Sequence, residues 1–231
     1  MCGILCYLNP QNKNLHENVL KGLVELQNRG KDSCGVFTAN NPDDWKLYKR
    51  FGTITNILKT TTFSQKILKE KTSKFFLIQT RYITSQQKKY TKDIYDKLNT
   101  MIENSQTSNK SFQDFYSETQ PLVRNISGKP LCMIHNGNIK IINKFIQQTN
   151  DGFSDFYNIS CTSDYKTDSS LLLDFIEINI KKGIAMPIIL RNIVENIDGA
   201  YNLILYYNDK IFIVRDSLGM RPLSIAKKNK M

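Results

Sequence analysis

A cysteine stands directly after the initiator methionine, in Met1-Cys2-Gly3-Ile4, and it has the sharpest chemical prospect in the chain. A small residue at position 2 permits removal of Met1, which would leave Cys2 with a free α-amino group. Such an amine titrates at about 7.7–8.0 and can take a thiol proton near neutral pH without any histidine. That route matters because the chain holds only two histidines, His16 and His135. On position alone, the plainer reading of Cys2 as a small apolar residue in a buried first strand is favoured. His135-Asn136-Gly137-Asn138 follows the apolar run Leu131–Ile134. Asn-Gly is first a tight-turn signal, because both residues tolerate positive φ. The functional alternative is an oxyanion hole made by an Asn amide and a backbone N–H, where one donor is typically worth ~10²–10³ in rate. Taken alone, the motif reads as a turn. Arg81 ends an apolar stretch, where an unpaired guanidinium is costly, so a structural acid or a substrate carboxylate should face it. Asp168 precedes Ser169-Ser170-Leu171-Leu172-Leu173 and is placed to cap a helix. Arg215-Asp216 reads as an internal ion pair at a strand end.

These groups need a scaffold, and the chain is long enough for one. Its 231 residues, 40% hydrophobic and 23% charged, suffice for a buried core. No apolar run approaches the ~20 residues of a membrane-spanning helix, and the start lacks a basic leader. Five cysteines without a CxxC pair read as free thiols of a reducing, cytoplasmic compartment. Neither a disulfide framework nor a metal site is expected. The net charge of +11 is accounted for by residues 46–92, where twelve basic residues face a single Glu70. That window has no aromatic ladder or recognition-helix signature, so a solvated surface is preferred and nucleic acid is disfavoured. Strands are expected at 2–8, 34–38, 45–50, 75–81, 121–126 and 131–135. Tyr201–Tyr207 and Lys210–Arg215 flank Asn208-Asp209 as a hairpin. Helices are expected at 15–26, about 63–69, 139–148, 169–180 and 187–196. Residues 86–118 are polar, with cancelling charges, and read as an inserted loop or partly helical excursion. Strands first, last and in the middle imply an α+β fold with layered sheets.

Eight blocks, met in order, change the weighing: MCGI (1–4), LQNRGKDSCGV (26–36), TRYITS (80–85), SETQPL (117–122), HNGNI (135–139), TDSSLLL (167–173), DGAYNLI (198–204) and RDSLGMRPL (215–223). Together they resemble the class II (N-terminal nucleophile) glutamine amidotransferase domains, most closely the phosphoribosylpyrophosphate-using branch, the amidophosphoribosyltransferases of purine biosynthesis. Tyr82 after Arg81 and the RDxxGxRPL ending carry that finer resemblance. The resemblance implies a four-layer αββα sandwich of the N-terminal-nucleophile hydrolase type. It implies hydrolysis of glutamine to glutamate and ammonia, with Cys2 as nucleophile and no cofactor. Asn136 and the backbone N–H of Gly137 would hold the oxyanion. Arg81 would clamp the substrate carboxylate and Asp168 its ammonium group, with Arg29, Gly30 and Thr84 lining the pocket. The alternative is a catalytically weak or inactive relative that serves as a binding or regulatory subunit.

The family pattern usually carries His at position 28 and near 79, Pro at 83 and 217, and Glu at 170, where this chain has Asn28, Gln79, Ile83, Ser217 and Ser170. Asp164 competes with Asp168 for the ammonium role; Asp168 is preferred because the following leucines keep the family's helix phase. The whole of 1–231 is expected to be one amidotransferase domain, with the insertion at about 86–118 and no phosphoribosyltransferase domain. The expected partners are glutamine as substrate, a separate synthase or phosphoribosyltransferase subunit, and a second copy in a homo-oligomer.

Overall fold

Among the described residues, eight strands form two antiparallel sheets of four, and their inner faces pack on each other. The computed structural model describes residues 2–9, 15–59, 61–82, 92–104, 110–140 and 167–227. The first sheet contains β1 (Gly3–Leu8), β2 (Ser33–Asn41), β3 (Asp44–Phe51) and β4 (Phe75–Arg81), in the order β1-β4-β2-β3. The second contains β5 (Leu122–Ile126), β6 (Lys129–Lys140), β7 (Asp198–Tyr207) and β8 (Lys210–Arg215), in sequence order. Period-two alternation sorts each strand between two cores. Phe37, Phe75, Leu77, Ile134, Ile204 and Tyr206 fill the layer between the sheets, with Tyr206 stacked on Phe75 at 4.7 Å.

Helices cover both outer faces. On the first sheet lie α1 (Leu15–Leu26), α2 (Ile54–Lys59) and α3 (Thr61–Leu68). Val19 and Leu23, four apart, put α1's apolar stripe on the sheet, and Gly22 lets it close in, since a Cβ there would meet Leu5 at 2.5 Å. On the second sheet lie α6 (Asp168–Lys181) and α7 (Met186–Asn196), whose Leu172, Phe175, Ile176, Ile189 and Ile193 pack on the outer residues of β5–β8. The architecture is therefore an α+β sandwich layered αββα.

The described part of the region read as an insertion contains two helices, α4 (Lys92–Glu103) and α5 (Lys110–Ser117). α4 docks on the open edge of β3. The Asn99 side chain accepts from the Phe51 N–H at 3.0 Å and donates to the Phe51 carbonyl at 2.8 Å, so it pairs that edge residue as a strand would. Tyr95 stacks on Phe51 and donates through its hydroxyl to Asp32 at 3.1 Å. The Asn208-Asp209 hairpin forms as expected, with φ of 50° and 59°.

Two expectations fail here. The Asn-Gly pair at 136–137 is not a turn: β6 runs unbroken to Lys140 and pairs with β7 from Cys132 onward, Asn136 opposite Asn202 and Gly137 opposite Tyr201. Gly137 is needed for close approach, because a Cβ there would lie 2.0 Å from the Ala200 carbonyl oxygen. For the same reason Ile139 and Lys140 are strand and not helix; the rest of the 139–148 expectation lies outside the described residues.

Candidate active site

At one end the layer between the sheets turns from apolar to polar. Beyond Leu77 and Ile134, the next inward positions are Gln79 on β4 and Asn136 on β6, both buried. The Gln79 amide clasps the backbone of His135, donating to its carbonyl at 2.7 Å and accepting from its N–H at 3.1 Å, and so ties the two sheets together. Gln120 accepts from the same N–H at 2.7 Å and donates to Ser169 Oγ at 3.1 Å. A sequence scan could flag Gln79 as a polar residue inside the apolar run FFLIQTR, but nothing local identifies its partner on the other sheet.

Cys2 lies at this end. Gly3 pairs with Thr80, which puts Cys2 beside Arg81, and Ile4 and Cys6 pack into the inter-sheet layer, so alternation turns Cys2 to the same face. β1 and β6 face each other across that layer, and Ile4, opposite Gln79, sets the start of β1 at the level of His135. Cys2 is partly exposed. Burial pushes the thiols of Cys6 and Cys34 up to about 12 and that of Cys132 well above its ordinary value, so these three stay protonated and inert.

Arg29 and Gly30 sit against the backbone at Gly3 and Arg81. Gly30 packs flat on Arg81, where a Cβ would meet the Arg81 nitrogen at 2.6 Å, and a Cβ on Gly3 would lie 3.0 Å from Arg29. Arg81, half-buried, donates from Nη1 to the Glu118 carbonyl oxygen at 2.5 Å. The Glu118 carboxylate, itself buried, accepts from the Thr167 N–H at 2.9 Å, the Thr167 hydroxyl at 3.0 Å and the Ser170 hydroxyl at 2.7 Å.

Asp168 is the first residue of α6 and not its cap. Thr167 caps the helix, its Oγ1 accepting from the Ser170 N–H at 3.2 Å. The Asp168 carboxylate instead accepts from the Ser169 N–H at 2.7 Å and from the Ile139 N–H at 3.1 Å, which fixes it against the far end of β6. A helix N-terminus favours that negative charge. Thr84, Asp164 and Met1 lie outside the described residues.

Neither histidine serves Cys2. His16 is buried in α1. His135 points to the outer face of its sheet, where Nδ1 meets Ser169 Oγ at 2.6 Å; burial pushes its pKa down, partly opposed by Asp168. Arg215 and Asp216 do not form the expected ion pair among the described residues. Arg215 binds the carbonyls of Gly219 and Arg221, while Asp216 accepts from the N–H groups of Met220 and Tyr201, so both organise the same turn separately.

A four-layer αββα sandwich with a cysteine leading its first strand is the architecture of class II, N-terminal-nucleophile glutamine amidotransferase domains. A profile of the family described as "Glutamine amidotransferase domain" matches residues 107–231, and the chain belongs to that family. It is similar to the amidophosphoribosyltransferases of Methanothermobacter thermautotrophicus and Methanocaldococcus jannaschii, each 23% identical across 98% of this chain and 40% of theirs. It also superposes on glutamine phosphoribosylpyrophosphate amidotransferase from B. subtilis, solved with ADP and GMP, with a TM-score of 0.63 and 17% identity over 96% of this chain and 38% of that one. The chain thus spans about 40% of the length of the curated relatives it matches. Among the described residues, no helix is long and apolar enough to cross a membrane.

Proposed function

We propose that this chain hydrolyses glutamine to glutamate and ammonia through a covalent γ-glutamyl thioester on Cys2. What supports this reading is that Cys2, partly exposed, precedes Gly3, which pairs with Thr80 beside Arg81, while Arg81 binds Glu118, whose carboxylate holds Thr167 next to Asp168. With Met1 removed, the α-amine of Cys2 takes the thiol proton, and the thiolate attacks the side-chain amide carbon of glutamine. The oxyanion that forms lies between the Asn136 amide and the Gly137 N–H. As the carbon–nitrogen bond breaks, the α-ammonium group returns its proton to the leaving nitrogen and ammonia departs. Water then attacks the thioester, with the amine as base, and glutamate leaves with the thiol restored. Arg81 holds the substrate α-carboxylate and Asp168 its α-ammonium group, with Arg29 and Gly30 beside them and Thr84 assigned to the same pocket. The similarity to amidophosphoribosyltransferases supports a phosphoribosyl acceptor for the ammonia, held by a further segment or a partner subunit.

The test is intact mass before and after treatment with an electrophilic glutamine analogue, with Cys2→Ala as control. Loss of Met1 and a single adduct on Cys2, blocked by excess glutamine, is the expected result. Retained Met1, or an adduct that glutamine does not block, overturns the catalytic reading and leaves a binding or regulatory relative.

A further inference from the structure

The segment from Tyr116 to Pro121 crosses from the first sheet to the second, and its polar groups are held from both sides. Lys49 on β3 donates to the Tyr116 carbonyl at 3.0 Å and Arg81 on β4 to the Glu118 carbonyl. The Gln120 side chain bridges His135 on β6 to Ser169 on α6. The Glu118 carboxylate takes both polar hydrogens of Thr167 and the hydroxyl of Ser170. One residue therefore touches Arg81 through its main chain and the residues on either side of Asp168 through its side chain.

We propose that Glu118 is a positioning residue that sets the separation between Arg81 and Asp168, and so selects substrates bearing both an α-carboxylate and an α-ammonium group. The proposal rests on the glutaminase reading above. Main chain and side chain of a single residue form a short, stiff link: one end meets Arg81, and the other holds Thr167 and Ser170, between which Asp168 stands in the first turn of α6. The carboxylate is buried at 8% exposure and receives three hydrogen bonds, so its own geometry is overdetermined. Ser170, where the family pattern usually has an acid, is fully buried; it donates its hydroxyl to Glu118 and accepts from Arg124 Nη2 at 3.0 Å. The negative charge facing this turn of α6 is thus supplied from the crossing segment. It also adds to the anionic field at the helix start, where an ammonium group would sit.

The experiment follows alkylation of Cys2 by iodoacetamide in the full chain after Met1 removal. Protection is measured with glutamine, with glutaramate, which lacks the α-ammonium group, and with 4-aminobutanamide, which lacks the α-carboxylate. Glu118→Gln keeps the size and removes the charge. It should leave the unprotected rate within about twofold and raise the half-protecting glutamine concentration about tenfold or more, the worth of one charge-assisted contact. Glutaramate protection should change far less, so the preference for glutamine over glutaramate collapses. Asp174→Asn, which breaks the 2.8 Å pair with Arg124 on the same helix, should keep that preference. Unchanged protection in Glu118→Gln overturns the proposal, as does an equal loss for all three compounds matched by Asp174→Asn. If Glu118→Gln does not fold, Glu118→Asp, which keeps the charge and shortens the arm, must reduce the same preference or the proposal fails. Absence of glutamine protection in the unmodified chain overturns the glutaminase reading and this proposal together. Protection of the unmodified chain and of Glu118→Gln alike overturns this proposal only.

Discussion

Single residues along the inner faces of the two sheets change from Phe, Leu and Ile to Gln, Asn and Lys toward one end, and that change marks the site. Asn136 is expected to act on the transition state, so Asn136→Ala should lower kcat for glutamate release by about 10²–10³ with little change in KM. Lys49 is a different case. It is 2% exposed, and burial pushes its amine down to about 7 from 10.5. Between those values the folded chain binds fewer protons than the unfolded one, so this group's contribution to stability rises with pH across that interval. Below about pH 7 both states are protonated and the penalty is present in full. Lys49→Met should therefore stabilise the fold by roughly 2 kcal/mol at pH 6–7, and the gain should fade toward pH 10. Urea midpoints at three pH values check this, and a pH-independent effect would contradict it. Such a residue is invisible to a scan, because a lysine on a strand reads as solvated until the neighbouring sheet covers it. Asn136-Gly137 misleads for a related reason: its local preference is a turn, while what decides its place is the Ala200 carbonyl across the ladder.

Whole elements were easier to read where burial follows a regular period. The stripe Leu15, Val19, Leu23 defines α1, and alternation together with Asn208-Asp209 defines the last hairpin. The cap of α6 was harder, since Thr167 and Asp168 are both good capping types and only the carboxylate's attachment to β6 separates their roles. α4 was legible only as a polar stretch with helical content. It buries little, and a few side-chain contacts place it: Asn99 and Tyr95 on Phe51 at the edge of β3, Tyr95 on Asp32 and Glu103 on Arg50. Asn99→Ala removes both hydrogen bonds to Phe51 and should cost about 1–2 kcal/mol. Protection of the Phe51 amide in hydrogen exchange should fall at the same time. Retention of that protection would mean that the contacts of Tyr95 and Glu103 hold the helix without Asn99.

At the scale of the molecule, the described residues form three stacked cores, two between sheet and helices and one between the sheets. Trp45, the sole tryptophan, lies in the middle one with its ring 6.0 Å from Phe37. Because Gln79 and Gln120 lock the layers at one end and the aromatic cluster locks the middle, unfolding should be a single event. Trp45 fluorescence and far-ultraviolet dichroism should give coincident urea transitions. A tryptophan transition at lower urea would mean that the sheets separate before either outer core melts.

Gly35 on β2 has a consequence that reaches across the same layer. A Cβ at this position would lie 2.4 Å from Pro121 and 2.5 Å from the Gln120 carbonyl. The bare hydrogen of Gly35 is thus the slot through which the crossing segment enters the sandwich. One added methyl there would evict Gln120 from His135 and loosen the Arg81–Glu118 contact, though position 35 carries no reactive group. Loss of function in this domain can therefore arise from a net gain of one carbon and two hydrogens at a site that any inventory of reactive side chains would pass over.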